Sequence, residues 1–107
     1  MATPPTQSIF EIQAEFCKAM GNPVRLQIIH ILRERPMNVS EIVEITGFGQ
    51  SQVSRQLSIL RNVGVVEYQR HGNEMIYQLA DENIGEVCDL VRKVLTAHTQ
   101  KQSEAFR

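Results

Sequence analysis

The break at Gly47-Phe48-Gly49 constrains this chain more than any other stretch. Before it, Ile42, Val43 and Ile45 recur at helical spacing in a short segment that Ser40 can cap and Gly47 can close. After it, Gln50 to Val63 puts Val53, Leu57 and Leu60 on one side and Ser51, Arg55, Ser58 and Asn62 on the other, the i, i+4, i+7, i+11 pattern of an amphipathic helix. The sequence therefore predicts a short helix, a tight turn, and a helix with an apolar back and a polar front. Two such helices cannot enclose a core alone, so the flanking segments must supply apolar surface.

The flanks do so. Ser8 and Glu11 have capping-box spacing, and Ile9, Ile12, Phe16 and Met20 then recur at about the helical period up to Gly21. Asn22 offers an N-cap with Pro23 at the first helical position, opening a second helix, Val24 to Arg33, that is apolar nearly all round and so reads as the buried centre. Pro36 ends that pattern. Beyond the amphipathic helix, Val65 to Arg70 and Met75 to Leu79 are rich in β-branched and aromatic residues, and the four residues His71 to Glu74 between them read as a hairpin loop. Asp81 can cap a last helix with an apolar stripe of Ile84, Val87, Cys88, Val91, Val94 and Leu95, followed after His98 by a polar tail, 99–107.

A chain of 107 residues with 42% apolar content suits a single domain, 1–107, with one core. Residues 1–6 are polar and Pro-containing and read as disordered, with neither the basic nor the apolar region of a signal peptide. No run approaches a membrane span. The two cysteines form no CxxC pair, and a reduced, cytoplasmic setting is expected. A net charge of −1 excludes a sequence-blind polycation, so any nucleic-acid contact must come from a local basic face.

The predicted fold is mainly α with a β-hairpin, in the order α-α-α-α-β-β-α: a helix-turn-helix with a wing. A single helix fits the major groove of duplex DNA, and a hairpin beside it can reach the neighbouring groove or the backbone. Gln50, Ser51, Gln52, Ser54, Arg55 and Ser58 are hydrogen-bonding types with no acid among them, and Arg55 can donate two bonds to a guanine edge. Arg70, His71 and Asn73 at the hairpin tip are candidates for phosphate or minor-groove contact, and Arg61 is a weaker one. A solvated helix face would look much the same, and only the flanking turn and hairpin favour DNA.

The residues resemble the ArsR/SmtB family of dimeric winged-helix repressors. The resemblance rests on Lys18 to Leu26 (KAMGNPVRL), Ser40-Glu41-Ile42, Gln50 to Leu57 (QSQVSRQL), Leu60 to Val66 (LRNVGVV) and the wing end Ile76-Tyr77-Gln78-Leu79. It implies a homodimer built on the first and last helices, a recognition helix from Gln50 to Asn62, binding to an inverted-repeat operator, and repression relieved by a ligand. A dimer also suits the stripe on the last helix, which is too long for so small a core. The expected interface residues are Ile9, Phe16, Ile84, Val87, Val91 and Leu95.

The family's inducer sites are not matched. The arsenic-type cysteines would fall on Val43 and Ile45, the zinc-type ligands on Asp81, Asn83, Val94 and Ala97, and the persulfide-sensing pair on His30 and Thr96. Of these zinc positions only Asp81 carries a usual ligand, and His30, His71 and His98 do not share a spacing that would bring them to one metal, so no metal and no cofactor is expected. Cys17 in the first helix and Cys88 in the last are either core thiols or a redox or soft-metal switch, with an oxidant or thiophilic ion as inducer. No catalytic motif is present, so an enzyme is not expected. The alternatives are a winged-helix protein-interaction module without DNA binding, a constitutive repressor with no inducer and, least favoured, a thiol-redox enzyme using the two cysteines.

Overall fold

The computed structural model describes residues 8–105, and side chains for 8–100. The segment 1–6, expected to be disordered, lies outside the described residues. The element order is α1 (Ile9–Met20), α2 (Pro23–Leu32), α3 (Val39–Thr46), α4 (Gln50–Asn62), β1 (Val66–His71), β2 (Glu74–Leu79) and α5 (Asn83–Ala105).

Every helix but α4 starts where a side chain can take up its unpaired N–H groups. Ser8 and Glu11 form the expected capping box, the Glu11 N–H donating to Ser8 Oγ at 3.2 Å. Asn22 Oδ1 accepts from the N–H groups of Val24 and Arg25 at 2.9 and 3.1 Å, with Pro23 at the first position. The cap of α3 is Asn38, not Ser40: Asn38 Oδ1 accepts from the Glu41 N–H at 2.8 Å while Glu41 Oε1 accepts from the Asn38 N–H at 3.2 Å. Asn38 and Glu41 satisfy two donors reciprocally, which Ser40 cannot match without a Glu or Gln three residues on. Asp81 accepts from the Asn83 N–H at 2.8 Å, and α5 then runs to Ala105, through residues expected to be a polar tail.

The core forms where the helix-turn-helix folds back on its neighbours. Ile28, Ile29 and Leu32 of α2, Ile42 of α3, and Val53, Leu57 and Leu60 of α4 are buried together. Val65, Val66, Met37 and Tyr77 close it on the hairpin side, and Ile84 and Cys88 of α5 on another. Each such side chain contributes about 1.5–3 kcal/mol relative to exposure, so the apolar back of α4 fixes which way its polar front points. Although α2 holds the centre, its burial is one-sided: Leu26 stays 41% exposed.

The hairpin pairs Val66 with Leu79 through His71 with Glu74, so its loop is only Gly72-Asn73 rather than the four residues expected. Gly72 has φ +63, and no described non-glycine residue has positive φ, the pattern of a type II′ turn with glycine first. Outside the hairpin, Met37 and Tyr77 exchange two backbone hydrogen bonds, N to O at 2.9 Å and 2.8 Å, tying the α2–α3 loop to the middle of β2.

Candidate nucleic-acid interface

The three inward residues Val53, Leu57 and Leu60 are fully buried, and this turns the opposite face of α4 outward. Gln50, Ser51, Ser54, Arg55 and Ser58 are exposed there, and Gln52 is half-buried at the edge. No residue of α4 is acidic. Gly49, which precedes the helix, offers no side-chain acceptor, so the first N–H groups of α4 are not capped as those of the other helices are. Gly47 ends α3 with φ +77, a left-handed C-cap whose N–H donates to the Val43 carbonyl at 2.8 Å.

Arg25, not singled out by sequence reasoning, and Arg61, the weaker candidate for DNA contact, hold α4 in place. Arg25 donates from Nη1 to Gln56 Oε1 at 2.7 Å and from Nε to the Ala19 carbonyl. One guanidinium thus joins the end of α1, the start of α2 and the inner edge of α4. The available signal was a cation in the first turn of an otherwise apolar helix, which has to find acceptors. At the other end of α4, the Arg61 guanidinium lies 4.3 Å from the centre of the Tyr68 ring, an attraction between cation and aromatic face that links the helix to the wing. This contact accounts for Arg61 without DNA.

The wing tip presents Arg70, His71 and Asn73, all exposed. The acids nearby are engaged: Glu74 accepts from Asn38 Nδ2 at 3.1 Å and Glu67 from Gln78 Nε2 at 2.7 Å. At the base of α3, Glu41 is held below the usual carboxylate range by the Asn38 N–H and then by Arg35, which approaches to 2.6 Å.

The expected interface residues separate. Ile9 is 68% exposed, and Val87, Val91 and Leu95 are exposed along α5, joined by Leu90 and Val94 on α5 and by Phe10 and Ile12 on α1. Ile84 is a correction: it is 6% exposed and packs in its own core, because the first turn of α5 lies against the end of α2, where Gly85 meets the Arg33 side chain. Phe16 is half-buried and packs against the same core. The thiols also differ. Cys17 is exposed, whereas Cys88 is buried, and that burial pushes its thiol up and keeps it neutral. Among the described residues, no three His, Cys, Asp or Glu side chains come together to hold a metal ion.

Comparison with known proteins bears on the family and the fold. The profile of the "Bacterial regulatory protein, arsR family" matches residues 22–68, from the cap of α2 into the wing. The uncharacterized HTH-type transcriptional regulator Rv0081 of Mycobacterium tuberculosis is 38% identical over 91 residues, 84% of this chain and 80% of that protein. The chain belongs to the arsR family. Its fold overlays on the crystal structure of Rv0081 with a TM-score of 0.81 at 35% identity, over 92% of this chain and 99% of the other. A Mycobacterium bovis protein, solved by NMR as a homodimeric winged helix-turn-helix DNA-binding domain, gives 0.77 at 30% identity, over 89% and 93%. The HTH-type transcriptional repressor SmtB of M. tuberculosis is 37% identical over 84 residues, 78% of this chain and 62% of that protein. This arsR-family chain is a winged helix-turn-helix transcriptional regulator, and its family is one of regulators, not enzymes. No helix among the described residues is long and apolar enough to cross a membrane.

Proposed function

We propose that this arsR-family regulator is a repressor that binds an inverted-repeat operator as a homodimer, with α4 in the major groove and the wing on the adjacent backbone. The observation that carries this reading is the outward face of α4, exposed and free of acids along its whole length. On it, Arg55 reads a guanine edge by a two-bond fork, and Ser51, Ser54 and Ser58 let the helix approach closely while donating to bases or phosphates. Gln50 and Gln52 act at its N-terminal end. Arg70, His71 and Asn73 on the wing contact phosphate or the minor groove, which positions the protein more than it reads sequence.

The homodimer is supported by the exposed apolar side chains of α1 and α5, among them Phe10 at 76% and Val94 at 68% exposure, and by the homodimeric state of the M. bovis relative. Two linked reading heads follow the two-fold symmetry of an inverted repeat, with half-sites about one helical turn, 34–36 Å, or a multiple apart.

The test is selection of duplexes from a randomised pool, then titration at fixed salt. Arg55→Ala should cost roughly 1–3 kcal/mol and relax base preference, whereas Arg70→Ala should weaken all duplexes evenly. An unenriched pool, or an Arg55→Ala variant that binds and discriminates like the wild type, would reject the reading. The thiols enter less strongly: a buried neutral Cys88 is a poor nucleophile.

A further inference from the structure

The hairpin is gripped at two levels. At its base, Tyr68 and Tyr77 face each other across the ladder, and both are held from outside it: Tyr68 by the Arg61 guanidinium, Tyr77 by the two backbone bonds of Met37. Farther out the ties are fewer. Met75 packs against the edge of the core, a non-directional contact that holds β2 down without setting its angle. Among the described residues, the only hydrogen bond from the outer half of the hairpin to the rest of the protein is the one that Asn38 Nδ2 donates to Glu74 Oε1 at 3.1 Å.

That bond comes from a side chain already in use. Asn38 caps α3, its Oδ1 accepting from the Glu41 N–H at 2.8 Å, so its amide NH2 is turned the other way, toward β2. Of the strong capping residues, Asp has no donor, and Ser and Thr are too short to accept at the helix and also donate across to a strand. Asn alone can join the start of α3 to the wing.

Glu74 is the acid nearest the tip, and it stands directly opposite His71 in the ladder. Cross-strand neighbours of complementary character pair readily, so a carboxylate freed from Asn38 would turn to the His71 imidazole, which now meets Gln69 Oε1 at 3.3 Å. Arg70, next to it, makes no ion pair among the described residues.

We propose that Asn38 is a positioning residue for operator binding: by holding the Glu74 carboxylate on the α3 side, it fixes the angle of the wing and leaves Arg70 and His71 free to donate to the DNA backbone. A loose tip would have to be ordered on binding, and a free carboxylate there would repel phosphate, so the bond acts on affinity although it touches no DNA. The wing is thereby aimed from the cap of the helix-turn-helix. The DNA half of the proposal rests on the operator-binding reading above, and the hold on the wing does not.

The experiment uses Asn38→Ser, which keeps a capping box with Glu41 and changes no charge but cannot reach Glu74. Its melting temperature should stay close to that of the wild type, while the heteronuclear NOE of the Gly72 and Asn73 amides in the DNA-free chain should fall. On a selected duplex at fixed salt, affinity should drop about three- to tenfold, the size of one ordinary hydrogen bond lost. In a chain already carrying Arg70→Ala and His71→Ala, Asn38→Ser should cost nothing further, because the side chains it aims are gone. Asn38→Asp, which sets two carboxylates together, should weaken binding more. Adding Glu74→Gln should restore it, since the bond re-forms with donor and acceptor exchanged at the net charge of the wild type. An unchanged NOE in Asn38→Ser overturns the hold on the wing. Wild-type affinity of Asn38→Ser, an undiminished loss in the chain without the tip side chains, or no recovery in the Asn38→Asp, Glu74→Gln chain overturns the part played in DNA binding. If the wild type binds no duplex, the operator-binding reading fails while the NOE still decides whether Asn38 holds the wing.

Discussion

Arg25 Nη1 meets Gln56 Oε1 at 2.7 Å, so the start of α2 and the reading helix α4 share one hydrogen bond, with the end of α1 held through the same guanidinium. Hydrogen bonds to a charged group contribute about 1.5–3 kcal/mol each, and a part-buried Arg must have acceptors. Arg25→Ala should therefore lower stability by roughly 1–3 kcal/mol in urea unfolding. Where the variant is still folded, it should also weaken duplex binding, since α4 loses a brace. Arg25→Lys should not restore either property, because one ammonium cannot span both acceptors in the fork geometry.

The two glycines of the turn should behave differently. Gly47 has φ +77, where any other residue is strained, and Gly47→Ala should cost about 1–2 kcal/mol. Gly49 has φ −66 and open space around its Cα, so Gly49→Ser should shift stability by no more than a few tenths of a kcal/mol, as expected when a capping glycine becomes serine. Thermal melts of the two variants side by side give the comparison.

Gly85 lies under the side chain of Arg33: a Cβ there would come within 2.3 Å of Arg33 Nε. Gly85→Ala gains helix propensity, about 0.8–1.0 kcal/mol, but must displace the arginine from Asp89. An exposed pair of this kind is screened by solvent and contributes little, so its loss should offset part of that gain. In an Arg33→Ala background only the gain is left, and Gly85→Ala should stabilise. A double-mutant cycle in urea reads the difference.

Asp89 is held below its ordinary range first by the hydrogen bond from Arg33, and Glu41 first by the Asn38 N–H. Both carboxyls titrate lower in the folded chain than in the unfolded one, so their contribution is present above about pH 5 and is lost as pH falls through the carboxylate range and then through the depressed folded values. Melting temperature should decline over that acid window. Asp89→Asn and Glu41→Gln should each flatten the decline, and a wild-type melting temperature constant from pH 6 to 3 would contradict this account.

Val87 and Leu90 are 47% and 61% exposed on the outward stripe of α5. Val87→Asp should shift sedimentation at micromolar concentration from dimer to monomer and reduce duplex affinity with it, because linked reading heads raise each other's effective concentration.

The elements were legible in the sequence because their signals are local. Ser8 with Glu11, Asn22 with Pro23, and Gly47 act within one turn of the chain, and Val53, Leu57 and Leu60 mark the inner face of α4 by period alone. The outward face of the candidate interface follows from that inner face by subtraction. What was not legible depends on how elements cross. Ile84 continues the stripe of Val87 and Val91 in sequence, yet the first turn of α5 lies against the end of α2 and Ile84 is buried in the core. Arg25 and Gln56 are thirty-one residues apart, and neither has a periodic signature. Asn38 and Ser40 can both cap, and it is the Glu three residues past Asn38 that decides between them.

The exchange of two hydrogen bonds between Met37 and Tyr77 has a bearing on solubility. A two-stranded ribbon exposes two rows of unpaired amides, and such rows can template strands from other molecules. Here the free edge of β2 is blocked at its middle by a single residue of the preceding loop, and each remaining gap is too short for another strand to grip. Losing that clasp, as Met37→Pro would by removing the amide donor, should turn a discrete particle into one that polymerises through its hairpins, with light scattering rising on warming before the helices melt.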